Sequence, residues 1–214
     1  MSVVLVLPTA LATGTAAVAL TPWMHRLAGS GSWWVRSGLH ALVAAGAGAG
    51  VAVLAEGWAE LAGFAVLAVG CGLLVIIDLA VKRLPDAIVG PLYLALFATL
   101  AAAATLDGNL AGLGRAAVAA ALAVAGYFLL AFISPAGLGL GDVKFAGVLA
   151  GFLGWLGWSE VLFGMLVAFA LNAMVALVLL ATGRATRHSE VPFGPFMVAG
   201  AALGAACGPQ VWAW

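Results

Sequence analysis

Two aspartates stand out in a chain of 214 residues of which only 7% are charged. Asp78 lies in Ile76-Ile-Asp-Leu-Ala-Val-Lys-Arg-Leu-Pro-Asp86, and Asp142 closes Gly139-Leu-Gly-Asp142, with Lys144 two residues on. An ionisable group inside an apolar run is costly and needs a polar interior or a partner. A second carboxyl group is one such partner. Two carboxyls held close together cannot both ionise cheaply, so they share a proton and can act as base and acid together. The chemistry this allows is peptide hydrolysis. The ionised member takes a proton from water, the protonated member polarises the peptide carbonyl, and the tetrahedral intermediate collapses with proton transfer to the leaving amine. Neither a metal nor a cofactor is needed. Gly139 and Gly141 lack side chains, so an extended substrate backbone could approach the pair there.

The elements that must position these groups are membrane helices. Of all residues 65% are hydrophobic and the mean hydropathy is +1.21, whereas a soluble domain carries about a quarter charged residues. Breaking the chain at its charges and Gly/Pro clusters predicts eight spans, roughly 3–22, 38–55, 60–81, 87–106, 112–133, 143–157, 160–181 and 194–212. The expected fold is therefore an all-α polytopic bundle, residues 1–214 forming one transmembrane domain. The sixth span is short and glycine-rich, which suggests a tilted or partly re-entrant segment. The apolar runs do not alternate as barrel strands do.

Arg26, Arg36, Lys82, Arg83, Lys144, Arg184 and Arg187 all fall in alternate loops, while the intervening loops hold Glu56, Glu60, Asp107, Glu160 and one basic residue, Arg115. The positive-inside rule puts the first set in the cytosol and both termini outside. Asp78 and Asp142 then lie at similar depth near the cytosolic face. Trp23, Trp33, Trp34, Trp58, Trp155, Trp158, Trp212 and Trp214 all fall near predicted span ends, where indole favours the headgroup region.

Gly139-Leu-Gly-Asp142 with Lys144, preceded by Asp78 and the Leu84-Pro85-Asp86 turn and followed by Pro192-Phe193-Gly194-Pro195, resembles the type IV prepilin peptidases, a family of GxGD membrane aspartic proteases. The likeness covers about residues 65–205, and four short elements in order are far more specific than GxGD alone. It implies a catalytic pair of Asp78 and Asp142, with Gly139, Gly141, Lys144, Asp86, Pro192, Phe193, Gly194 and Pro195 binding substrate or supporting the site. It further implies cleavage of prepilin or pseudopilin leaders at the cytosolic face of the bacterial inner membrane. The presenilin and signal peptide peptidase group fits less well, because this chain has PFGP in place of their Pro-Ala-Leu and Ile77 before the first aspartate. Bifunctional family members carry a zinc-binding, cysteine-rich cytosolic domain after the first span and also methylate the new N-terminus from S-adenosylmethionine. Here the loop at about 22–37 has no cysteine, so a peptidase without methyl transfer is expected.

Plainer roles compete for the same residues. Asp142 could N-cap the sixth span and Asp86 the fourth; Asp78 could pair at the interface with Lys82 four residues on. Lys82, Arg83 and Lys144 could serve topology alone, and PFGP could be a helix-entry turn. His25, His40 and His188 are expected to be interfacial or packing residues, and Asn172 to bond a neighbouring helix. Cys71 and Cys207 are isolated and make neither a zinc site nor a disulfide framework. The prepilin-type substrate and the bilayer are the expected partners. Nucleic acid is not one, because Lys plus Arg number 8 against 8 Asp plus Glu with no basic patch. A small transporter using the two aspartates as a proton or cation relay is the rival function.

Overall fold

The computed structural model describes residues 3–133, 138–184, 186, 189 and 191–211. Of the residues singled out above, Arg187, His188, Trp212 and Trp214 lie outside them. A hydrocarbon environment leaves backbone N–H and C=O groups no partner but each other, so spanning segments become helices. Among the described residues, regular structure is helical throughout. A single 3-10 turn at Val3–Leu5 precedes ten α-helices: α1 Val6–Ala19, α2 Thr21–Ala28, α3 Trp33–Arg36, α4 Leu39–Leu54, α5 Trp58–Val81, α6 Asp86–Asp107, α7 Leu110–Ile133, α8 Leu140–Leu156, α9 Trp158–Ala181 and α10 Gly194–Val211.

Each predicted span coincides with a helix, with two differences. Among the described residues, α5, α6, α7 and α9 are long and apolar enough to cross a bilayer, whereas α1, α4 and the Gly194–Gly208 part of α10 are shorter apolar stretches. The first predicted span breaks at Leu20, because Pro22 suits the first turn of a new helix rather than the interior of an old one. The supposed cytosolic loop at 22–37 is consequently two short helices, α2 ending on left-handed Gly29 and α3 capped by the Ser32 hydroxyl. The sixth span is a continuous helix, α8.

The two most enclosed helices carry the two aspartates. In α5, 67% of the apolar window is buried inside the protein, against 17% in α9. In α8 every residue from Phe145 to Trp155 is buried. Large side chains bridge these helices. Trp155 Nε1 donates to Glu60 Oε1 at 2.9 Å, and Phe64 meets Phe152 edge-on with ring centroids 4.8 Å apart. Glu60 opens α5 and Trp155 closes α8, so the pair is antiparallel, and its register brings the end of α5 toward the start of α8. Around this pair, α4 packs on α1 and α5, α6 on α5 and α8, α7 on α8, and α10 on α9.

The opposite end of the bundle explains the one basic residue that breaks the charge pattern. Arg115 of α7 donates from Nε to the Gly154 carbonyl at 2.6 Å and from a terminal nitrogen to those of Trp155 and Leu156 at 2.6 and 3.4 Å. It closes the C-terminus of α8, where unpaired carbonyls favour a cation. Trp155, expected at the interface, is instead buried and bonded to Glu60. His40 is a packing residue, buried with Nε2 2.9 Å from the Thr21 hydroxyl, which ties α4 to α2. Asn172 departs from expectation: its side-chain oxygen is buried without a hydrogen-bond partner.

Candidate active site

A cavity of about 820 Å³ opens at the end of the bundle where α5 stops and α8 starts. Its walls are the last turn of α5, the Lys82–Pro85 connection, the first turns of α6 and α8, and Leu27 and Ala28 of α2. Asp78, Asp86, Gly139, Gly141, Asp142 and Lys144 all line it. The chain stops helically after Asp78 for a local reason. Lys82 adopts a left-handed conformation (φ 52°), its N–H closing on the Asp78 carbonyl at 2.8 Å, and Pro85 then leads into α6.

Asp78 is 3% exposed. Its Oδ2 accepts the backbone N–H of Gly194 at 2.8 Å. Gly194 opens α10, whose first N–H groups have no partner within the helix and favour a carboxylate. A side chain at Gly194 would not fit: a Cβ there would lie 2.9 Å from Asp78 Oδ2 and 3.3 Å from its Cβ and Cγ. The Pro-Phe-Gly-Pro turn thus delivers a donor to Asp78. Phe193 anchors that turn in an aromatic cluster, its ring centroid 5.2 Å from Phe169 and 6.2 Å from Tyr127. None of Pro192, Phe193, Gly194 and Pro195 lines the cavity.

Asp142 is half-buried in the first turn of α8. It is not the N-cap; Gly139 is, and Asp142 reaches back so that its Oδ2 accepts the Gly139 N–H at 3.0 Å. Asp86 is not the N-cap either; it is the first residue of its helix, with Pro85 at the N-cap. Its carboxylate instead takes Lys144 Nζ at 2.7 Å, and both side chains are at least half exposed. The Tyr93 hydroxyl donates to the Lys144 carbonyl at 2.9 Å. Two contacts from α6 therefore fix the start of α8. Gly141 lines the cavity, and the place a side chain would fill there lies 3.0 Å from the Cβ and carbonyl oxygen of Leu84. Its glycine lets the α5–α6 connection lie against α8.

Of the ten candidate site residues, six share the cavity, and Gly194 bonds Asp78 from outside its lining. The sequence did not mark Leu27 and Ala28, which sit on a helix read as a loop. The Gly194 donor had one sequence signal, a glycine fixed between two prolines at the start of a span. Among the described residues no three His, Cys, Asp or Glu side chains are grouped so that they could hold a metal ion. Chemically, besides Asp86 with its Lys144 partner, the cavity offers two carboxyls, each with one oxygen bonded to a glycine N–H, at the mouth of an otherwise apolar bundle.

The profile of the type IV leader peptidase family matches residues 65–183. Two curated proteins, the prepilin leader peptidase/N-methyltransferases of Burkholderia pseudomallei strains 1026b and K96243, are each 38% identical over 134 residues. The aligned part is 59% of this chain and 40% of theirs, so the chain matches about two fifths of the length of these relatives. No solved structure matches the chain significantly.

Proposed function

The chain belongs to the type IV leader peptidase family, and on that premise we propose that it is an aspartic endopeptidase. Its substrates are type IV prepilins or pilin-like proteins, whose leaders it cleaves at the cytosolic face of the bacterial inner membrane. The observation that carries the mechanism is that Asp78 and Asp142, far apart in sequence, line one cavity. Each has one oxygen held by a glycine N–H, which leaves the other for chemistry. With one proton shared, the ionised carboxyl removes a proton from water as its oxygen attacks the scissile carbonyl. The protonated carboxyl gives its proton to the carbonyl oxygen. Collapse of the tetrahedral intermediate returns that proton and transfers the other to the leaving nitrogen, so the pair ends as it began.

Gly139 and Gly141 shape the start of α8, Asp86 and Lys144 brace it across the rim, and Pro192 to Pro195 hold Asp78 through Gly194. The Burkholderia relatives' name joins peptidase to N-methyltransferase; for this chain the proposal is the peptidase without methyl transfer.

The test is cleavage of a co-expressed prepilin. Asp78→Asn and Asp142→Asn, made singly, are expected to abolish processing while the protein stays folded in the membrane, because the amide keeps size and hydrogen bonding but cannot share the proton. Asp86→Asn should retain substantial activity, its ion pair being exposed and worth about 0–1 kcal/mol. Full activity in either of the first two variants sinks the assignment, and loss confined to Asp86→Asn would transfer the role to that carboxylate.

A further inference from the structure

A second cavity, of about 700 Å³, lies between α4, α5 and α10, lined almost wholly by apolar side chains. It lies next to the candidate active site along one face of α5. On α5, Ala68, Cys71 and Val75 line the apolar groove, and the next position on that stripe, Asp78, lines the polar cavity. Spacings of three and four residues keep these side chains on one side of a helix. α10 repeats the arrangement. Gly194 holds Asp78, and the following residue, Pro195, begins the groove wall that runs on to Ala206. At 1.5 Å per residue that wall is roughly 16 Å long, the length of about eleven residues of helix.

We infer that this groove seats an apolar α-helix of the membrane-inserted substrate, laid so that its cytosolic end reaches the aspartates; the inference rests on the peptidase reading. A polypeptide at this depth must satisfy its own backbone, so the occupant is helical. The opposite wall admits it closely. Gly46 and Gly50 of α4 line the groove, and a Cβ built at either meets nothing within 4 Å. Glycines with empty space beside them at a membrane interface permit the backbone approach by which helices associate in lipid. The chain would leave its helix on passing from groove to cavity, and the peptide bonds freed from helical pairing there are the ones that meet Asp78 and Asp142.

The open space at Gly46 and Gly50 also allows a test that keeps the fold. With Cys71 and Cys207 replaced by Ala, Gly50→Cys should form a disulfide crosslink to cysteines placed singly along the apolar helix of a full-length prepilin in the same membrane. Gly46→Leu and Gly50→Leu, which fill the groove, should lower the cleavage rate of that prepilin at least tenfold relative to a short peptide carrying only the leader and the residues around the scissile bond. Absence of crosslinks, the groove then holding lipid alone, overturns the inference whatever the cleavage rate, as does a rate ratio unchanged within twofold. Crosslinks without cleavage of either substrate by the wild-type protein would refute the peptidase and leave the groove assignment standing.

Discussion

At the scale of single residues, Gly194 is the most constrained position beside the aspartates. A methyl group at this position would press on Asp78 Oδ2 at 2.9 Å, so either the start of α10 or the carboxyl must move. A displacement of that order near reacting atoms costs up to about a hundredfold in rate. Gly194→Ala is therefore expected to lower prepilin cleavage by roughly ten- to a hundredfold while membrane expression stays near wild type. Cleavage at the wild-type rate would show that the Gly194 N–H does not hold the catalytic conformation. The mutation separates orientation from titration, because it leaves both carboxyls in place.

At the scale of elements, what was legible in the sequence was the set of long apolar helices and the two aspartates that line one cavity; their fastenings, and the short helices α2 and α3, were not. Asp78 was marked by being charged inside an apolar run, and Asp142 by its glycine pattern. Arg115 looked like a stray loop charge, yet it closes α8 by bonding three carbonyls. Nothing local signals this, since its partners lie 39 to 41 residues away. Trp155 was likewise read as interfacial because it sits near a span end, and only the α5–α8 register shows that Glu60 claims it. The break at Leu20 was missed because the apolar run continues past the point where Pro22 restarts the helix. The C-terminal clasp has a measurable weight. Arg115→Gln leaves α8 carbonyls without their charged donor, and an unmade bond of this kind costs about 1–3 kcal/mol. The thermal midpoint of the purified protein in detergent should fall, whereas Arg184→Gln, an exposed residue beyond the end of α9, should leave it nearly unchanged. Equal midpoints for the two variants would contradict the structural role given to Arg115.

At the scale of the whole molecule, the assignment of Arg115 to helix closure strengthens the charge asymmetry, since the other basic residues of the sequence reading belong to alternate segments between the predicted spans, Arg26 and Arg36 on the short helices α2 and α3. With Cys71 and Cys207 replaced, a cysteine at Ser189 should react with a membrane-impermeant reagent only from the cytosolic side and one at Gly108 only from outside. Labelling of both from one side would overturn the proposed orientation and with it the proposed cytosolic position of the site. Among the described residues, the connections around the cavity are short, such as Lys82–Pro85 and Gly29–Ser32, far below the size at which a chain folds into a domain of its own. Purified protein given a prepilin and labelled S-adenosylmethionine should accordingly cleave without transferring label, and stoichiometric methylation of the new N-terminus would refute the peptidase-only proposal. The bond between Gly194 and Asp78 also bears on biosynthesis. Its partners are 116 residues apart, which at about 5–20 residues per second is roughly 6–23 s of translation. The ribosome delivers α5 long before α10 exists, so in that interval the Asp78 carboxyl is without its Gly194 donor and depends on water or a proton at the end of α5.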